Sequence, residues 1–91
     1  MPRVPSAAAS HIGQLMAERR RVFGISQDAV GVASGIDSSN IRAFENGRAM
    51  PSIHSLIRIA HALDIEPGSL IDGITLEMFS ASENDGRRRS A

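Results

Sequence analysis

The sequence contains no cysteine, no tryptophan, no tyrosine and no lysine, and only three phenylalanines. Without cysteine, neither a disulfide framework nor a thiolate metal site can form. That composition fits a cytoplasmic protein. With aromatic rings limited to Phe23, Phe44 and Phe79, the core must be aliphatic, which suits packed helices. No stretch approaches the ~20 apolar residues of a membrane span. The opening segment MPRVPSAAAS has one arginine and no sustained apolar run, so it is not read as a secretory signal. Net charge is missing too: ten basic and ten acidic residues cancel.

What remains is enough for one domain. Ninety-one residues exceed the size below which disulfides or metals become necessary. From Ser10 to Gly73 there are six arginines (19, 20, 21, 42, 48 and 58) and seven acids (18, 28, 37, 45, 64, 66 and 72), a net of −1. Overall charge therefore gives no support to nucleic-acid binding, and the distribution of charge has to decide. Because lysine is absent, any cationic contact to phosphate must use the planar fork of arginine.

Residues 1–9 contain two prolines and an alanine run without periodicity, and read as a loose arm. A first helix is expected from near Ser10, with Ile12, Leu15, Met16, Arg19 and Phe23 at helical spacing and Gly24 as its end. A second spans about Ser26 to Ser34, with Ser26 as N-cap and Ala29, Val30 and Ala33 as small buried residues. Gly35 makes a turn, and a third helix runs from about Ser38 to Asn46, with Gly47 beyond it. Ser52 caps a fourth, in which Ile53, Leu56, Ile57, Ala60 and Leu63 form a broad apolar face. Pro67 suits the first position of a short fifth helix carrying Leu70 and Ile71. The expected fold is all-α: a compact five-helix domain over residues 10–73, a short extension at 74–79, and a polar, disordered tail at 80–91.

The segment SQDAVGVASGIDSSNIRAFENG, residues 26–47, is the most informative stretch. Asp37 is placed to accept the free amides at the start of the third helix and to favour its dipole. Ile36, Ile41 and Phe44 would lock that helix onto the core, leaving Ser38, Ser39, Arg42 and Ala43 outward. Arg42 is the most discriminating of these, since an arginine fork fits guanine bidentately in the major groove. Taken alone, the hairpin is equally compatible with DNA binding and with any glycine-turned pair of helices that has a polar face.

Several residues together resemble a known family. Arg20, Gly24-Ile25-Ser26-Gln27, Gly35-Ile36 and Ile41-Arg42-Ala43-Phe44-Glu45-Asn46-Gly47 are similar to the pattern of the phage-repressor (Cro/Xre-like, lambda-repressor-like) helix-turn-helix domain, as are Pro51 and Leu56 to Leu63 downstream. The resemblance covers about Ser10 to Ile71 with no insertion. It implies base contacts from Ser38, Ser39, Arg42 and Ala43, and phosphate contacts from Gln27, Asn46 and Arg48. Gln27 would also brace the first residue of the third helix. Arg20 and Glu45 would form a structural ion pair.

Two features depart from the family. Gly31 stands where the family usually has alanine, which is expected to weaken the second helix by ~1 kcal/mol. Long amides at the base-reading positions are replaced by serines and alanine, so the code leans on Arg42, water and DNA shape.

Other sites fall away on inspection. His54 and His61 are two turns apart, ~10.5 Å of rise, too far to share a metal ion. Asp28 and Asp37 are explained by helix starts rather than catalysis. No phosphate-binding glycine loop or serine-histidine-acid grouping is readable, so no enzyme and no cofactor are expected. Of Arg19-Arg20-Arg21, only Arg20 should point inward. Arg87-Arg88-Arg89 reads as a solvated tail.

The apolar segment Ile74 to Phe79 follows a core that is already complete. It is expected to form a dimer contact through Leu70, Ile71, Ile74, Leu76, Met78 and Phe79, or else a short intramolecular cover. The combined reading is a cytoplasmic, homodimeric, sequence-specific transcriptional regulator that binds a palindromic site on double-stranded DNA. The alternative is an antitoxin-type module with a protein partner and secondary DNA binding.

Overall fold

Ser6 starts the first helix. In the computed structural model, which describes residues 6–79, its hydroxyl accepts the Ala9 N–H at 3.1 Å and opens α1 (Ala7–Phe23). The helix therefore begins three residues before Ser10, and Ala8 and Ala9 are buried rather than part of an arm. Small side chains there let the first turn pack, and a serine cap needs no hydrophobic periodicity to announce it. Gly24, at φ 88°, closes α1 by donating its N–H to the Arg20 carbonyl at 2.9 Å.

Ser26 caps α2 (Gln27–Ser34) through the Ala29 N–H at 3.0 Å, and Gly35, at φ 76°, turns the chain into α3 (Ser38–Glu45). Ser52 caps α4 (Ile53–Ala62) in the same way through the Ser55 N–H at 3.1 Å. The expected fifth helix is only a 3₁₀ turn, Pro67–Leu70, and a second 3₁₀ turn follows at Leu76–Phe79. The described residues thus hold four α-helices, not five. Pro67 fixes φ for either type of helix, but four residues before the turn at Asp72-Gly73 are too few to propagate an α-helix.

The core is Ile12, Met16, Val30, Ile41, Phe44, Leu56, Ile59, Ala60, Leu63 and Leu70. Ile25, Ile36, Ala49, Ile65 and Ile74 pack around it. Four expected core positions lie outside. Ala33 is exposed, the α2 core stripe being Val30, Gly31 and Ser34. Phe23 is half exposed at the last turn of α1, on the rim of a groove with Val22, Leu63 and Ile65. On α4, Ile53 and Ile57 flank the buried stripe of Leu56, Ile59, Ala60 and Leu63 and face solvent.

Leu70 is fully buried, which removes it from any dimer contact. Its turn packs against both α1 and α4, and the turn at Leu76–Phe79 packs on α1. Ile74 and Met78 are half-buried there, while Ile71, Leu76 and Phe79 remain exposed. His11 Nε2 donates to the Asp72 carbonyl oxygen at 2.6 Å, tying this end of the chain to α1.

Candidate nucleic-acid interface

α3 is held from beneath by Ile41 and Phe44 and from its C-terminal end by one carboxylate. Glu45 accepts Arg20 Nε at 2.7 Å through Oε2, and Arg20 Nη2 at 3.1 Å through Oε1. The remaining Arg20 nitrogen, Nη1, donates to the Ile25 carbonyl at 3.0 Å. Gln27 Nε2 adds a further bond to Glu45 Oε1 at 2.9 Å. α1, α2 and α3 therefore meet at the Glu45 side chain, which is only 6% exposed, and Arg20 extends the junction to the α1–α2 corner. Hydrogen bonding from Glu45 holds the Arg20 guanidinium above its ordinary pKa, against the opposing effect of burial. Arg19 and Arg21 on either side face solvent.

This bridge also places Gln27. Its amide is turned to Glu45 and not to Ser38, so it braces the end of α3 rather than its first residue. The resemblance could not reveal this, because it fixes which residues occur and not which neighbour a flexible amide selects.

On the opposite side of α3, Ser39, Arg42 and Asn46 are exposed and Ser38 and Ala43 are half-buried, all on the surface turned away from Ile41 and Phe44. The family-derived base-reading set thus shares one face, with Arg48 exposed just beyond. Asp37 occupies the N-cap position, yet its side chain makes no cap hydrogen bond; it instead accepts Ser39 Oγ at 2.8 Å through Oδ2. The Asp37 backbone carbonyl accepts the Asn40 N–H at 2.9 Å in place of a side-chain cap, and the first two side chains of α3 are short hydroxyls.

One contact was invisible in the sequence. Arg42 reaches back across the hairpin: Nη1 donates to Asp28 Oδ1 at 3.4 Å, and Nη2 to Ser38 Oγ at 3.4 Å. Asp28 stands in the first turn of α2, which by itself explains an acid there, so nothing in the spacing signals a partner on α3.

The close approach of α2 and α3 depends on Gly31. A methyl group at that position would lie 2.8 Å from the Ile36 carbonyl oxygen and 3.4 Å from the Ser38 backbone. The glycine expected to be a weakness in α2 is what lets the start of α3 sit this close. Gly13 does the same between α1 and α3, where a methyl would collide with the carbonyl oxygens of Phe44 and Glu45.

His54 and His61 are both exposed on α4. No described helix is long and apolar enough to cross a membrane.

Comparison with known proteins gives matches of three kinds. Residues 16–70 match the helix-turn-helix family HTH_3, a span holding the C-terminal part of α1, all of α2 to α4 and the turn at Pro67–Leu70. The chain is 32% identical over 81 residues to an uncharacterized HTH-type transcriptional regulator, y4wC, of Sinorhizobium fredii. That alignment covers 89% of this chain and 56% of the relative, so the chain spans little more than half of that protein. Its fold is similar to that of the restriction-modification controller protein C.AhdI from Aeromonas hydrophila, with a TM-score of 0.69 and 36% identity. The match covers 70% of this chain and 97% of the controller protein.

Proposed function

The chain belongs to the helix-turn-helix family of DNA-binding transcriptional regulators, and we propose that it reads a palindromic operator as a homodimer, with α3 of each subunit in the major groove. The observation that carries this reading is the two-sidedness of α3. Ile41, Phe44 and Glu45 fix one side to the scaffold, while Ser38, Ser39, Arg42 and Ala43 share the other. A helix so held presents its side chains without paying much ordering entropy on binding.

Arg42 supplies the discriminating contact, to the N7 and O6 acceptors of guanine. Ser38 and Ser39 are short, and act on nearby base edges directly or through water. Asn46 and Arg48 contact phosphate and set the register of α3 in the groove. Gln27 is assigned to the Glu45 bridge.

For the second subunit we assign the exposed apolar surface formed by Ile71, Leu76 and Phe79, of which Leu76 is 85% exposed. A two-fold axis through this surface would place the half-sites ~10–11 bp apart. Sedimentation tests it: a Leu76→Glu, Phe79→Glu variant should run as a folded monomer. An unchanged dimer would move the interface elsewhere.

The DNA reading is tested by selecting bound sequences from a random duplex pool at two salt concentrations. The expected result is a two-fold symmetric motif, with Arg42→Ala losing ~1–3 kcal/mol of discrimination at one base pair per half-site. A pool that enriches no motif, with only weak salt-sensitive binding, would overturn base reading and point to a protein partner instead.

A further inference from the structure

The face assigned to DNA carries an acid that base reading does not use. Asp28 reaches Arg42 from the neighbouring helix, and we infer that it is a specificity-determining positioning residue. It aims the Arg42 fork and cancels its charge until a base edge takes the place of the carboxylate. The inference rests on the reading of Arg42 given above.

The geometry has three parts. First, the two ends of the guanidinium are held from different helices, Nη1 by Asp28 on α2 and Nη2 by Ser38 on α3. The fork is thereby aimed from two directions before DNA arrives. Second, the Arg42 and Asp28 side chains are 47% and 75% exposed, and an ion pair so open to water contributes little to folding. Nor is Asp28 needed to cap α2, because Ser26 already accepts the Ala29 N–H. Third, contacts of 3.4 Å are long for charged hydrogen bonds and easily exchanged.

Together these give Asp28 a double effect. A neutralised Arg42 is attracted less to phosphate, so binding to arbitrary DNA loses about one cationic contact per subunit. Guanine offers the fork two acceptors in one plane and can displace the carboxylate with matched geometry. A base that offers one acceptor cannot repay the lost ion pair. The acid therefore weakens all binding but weakens wrong binding more.

The experiment compares the enriched duplex, the same duplex with the Arg42-dependent base pair exchanged, and a random-sequence duplex. Wild type, Asp28→Asn, Asp28→Glu, Arg42→Ala and the Asp28→Asn, Arg42→Ala double variant are each titrated at several salt concentrations. Asp28→Asn should bind random duplex more tightly, with a salt slope steeper by about 0.9 per subunit. Its preference for the enriched over the exchanged duplex should narrow by about threefold, part of the discrimination of one bidentate contact. Asp28→Glu should recover most of that preference, and in the Arg42→Ala background Asp28→Asn should leave it unchanged. Melting curves of the single variants should overlay wild type. Equal effects of Asp28→Asn on every duplex, in both backgrounds, would reduce Asp28 to an ordinary surface charge and overturn the inference. A motif that depends on Arg42 but not on Asp28 overturns it too, leaving base reading intact. A pool with no motif overturns both.

Discussion

Replacing Glu45 with alanine is the sharpest test of how the scaffold holds α3. The change removes the acceptor for Arg20 Nε, Arg20 Nη2 and Gln27 Nε2, and leaves the guanidinium with only the Ile25 carbonyl. Breaking a buried pair by deleting one partner costs ~3–5 kcal/mol, because the remaining charge is stranded. Arg20 is 17% exposed, so water partly reaches it and the low end, about 3 kcal/mol, applies. In a domain of this size each kcal/mol moves the melting temperature by roughly 4–8 °C, which gives a fall of about 12–24 °C. Circular dichroism during heating reads this directly. The companion variant Arg20→Met, Glu45→Leu removes both charges and should return to within ~1 kcal/mol of wild type, since apolar replacement of a buried pair is often neutral or better. The reasoning fails if Glu45→Ala melts within a few degrees of wild type. It fails equally if the double variant is as unstable as the single one, since stranding of Arg20 would then not be the cause.

Leu70→Ala should cost ~2–5 kcal/mol in urea unfolding, because the side chain is fully buried in the core; a loss under 1 kcal/mol would contradict that placement. Gly13→Ala should be destabilising despite a helix-propensity gain of ~1 kcal/mol, since the methyl meets two carbonyl oxygens of α3 and overpacking costs ~1–3 kcal/mol. A rise in melting temperature would show that α1 and α3 can move apart freely. Gly31→Ala faces the same conflict against the Ile36 carbonyl and should lower stability slightly while shifting the Ser38 and Ser39 amide resonances in NMR spectra; resonances that stay in place would show that α3 does not depend on this contact.

The parts of the fold that could be read from sequence were those governed by local chemistry. Ser26, Ser52 and the glycines at 24 and 35 mark helix ends through caps and positive φ, and each does so in the structure. The buried pair Ile41 and Phe44 follows from helical spacing alone. The meeting of Arg20 with Glu45 came from family resemblance, since no local pattern links residues 25 positions apart. What escaped was decided by tertiary neighbours. An alanine run has no periodicity, so spacing points to Ser10 although the cap at Ser6 opens α1. An apolar residue looks the same whether it faces the core or a partner, so spacing alone does not assign Leu70 to the core where it lies. The turn of Gln27 toward Glu45, the pairing of Asp28 with Arg42 and the tight fit around Gly31 depend on how two helices cross, and that angle is not written in either helix.

The junction at Glu45 also separates two kinds of freedom. The side chains that align α3 lie at its buried side and its C-terminal end, in Ile41, Phe44, Glu45, Arg20 and Gln27, and the contact at its start is made by backbone against Gly31. None of these is a proposed base-reading position. Side chains at 38, 39, 42 and 43 can thus be exchanged without disturbing what sets the pitch of the helix against its neighbours. A small library at those four positions should yield folded proteins with new operator preferences on an unchanged frame. Altering the junction instead would tilt the whole reading surface and leave no preference to retarget.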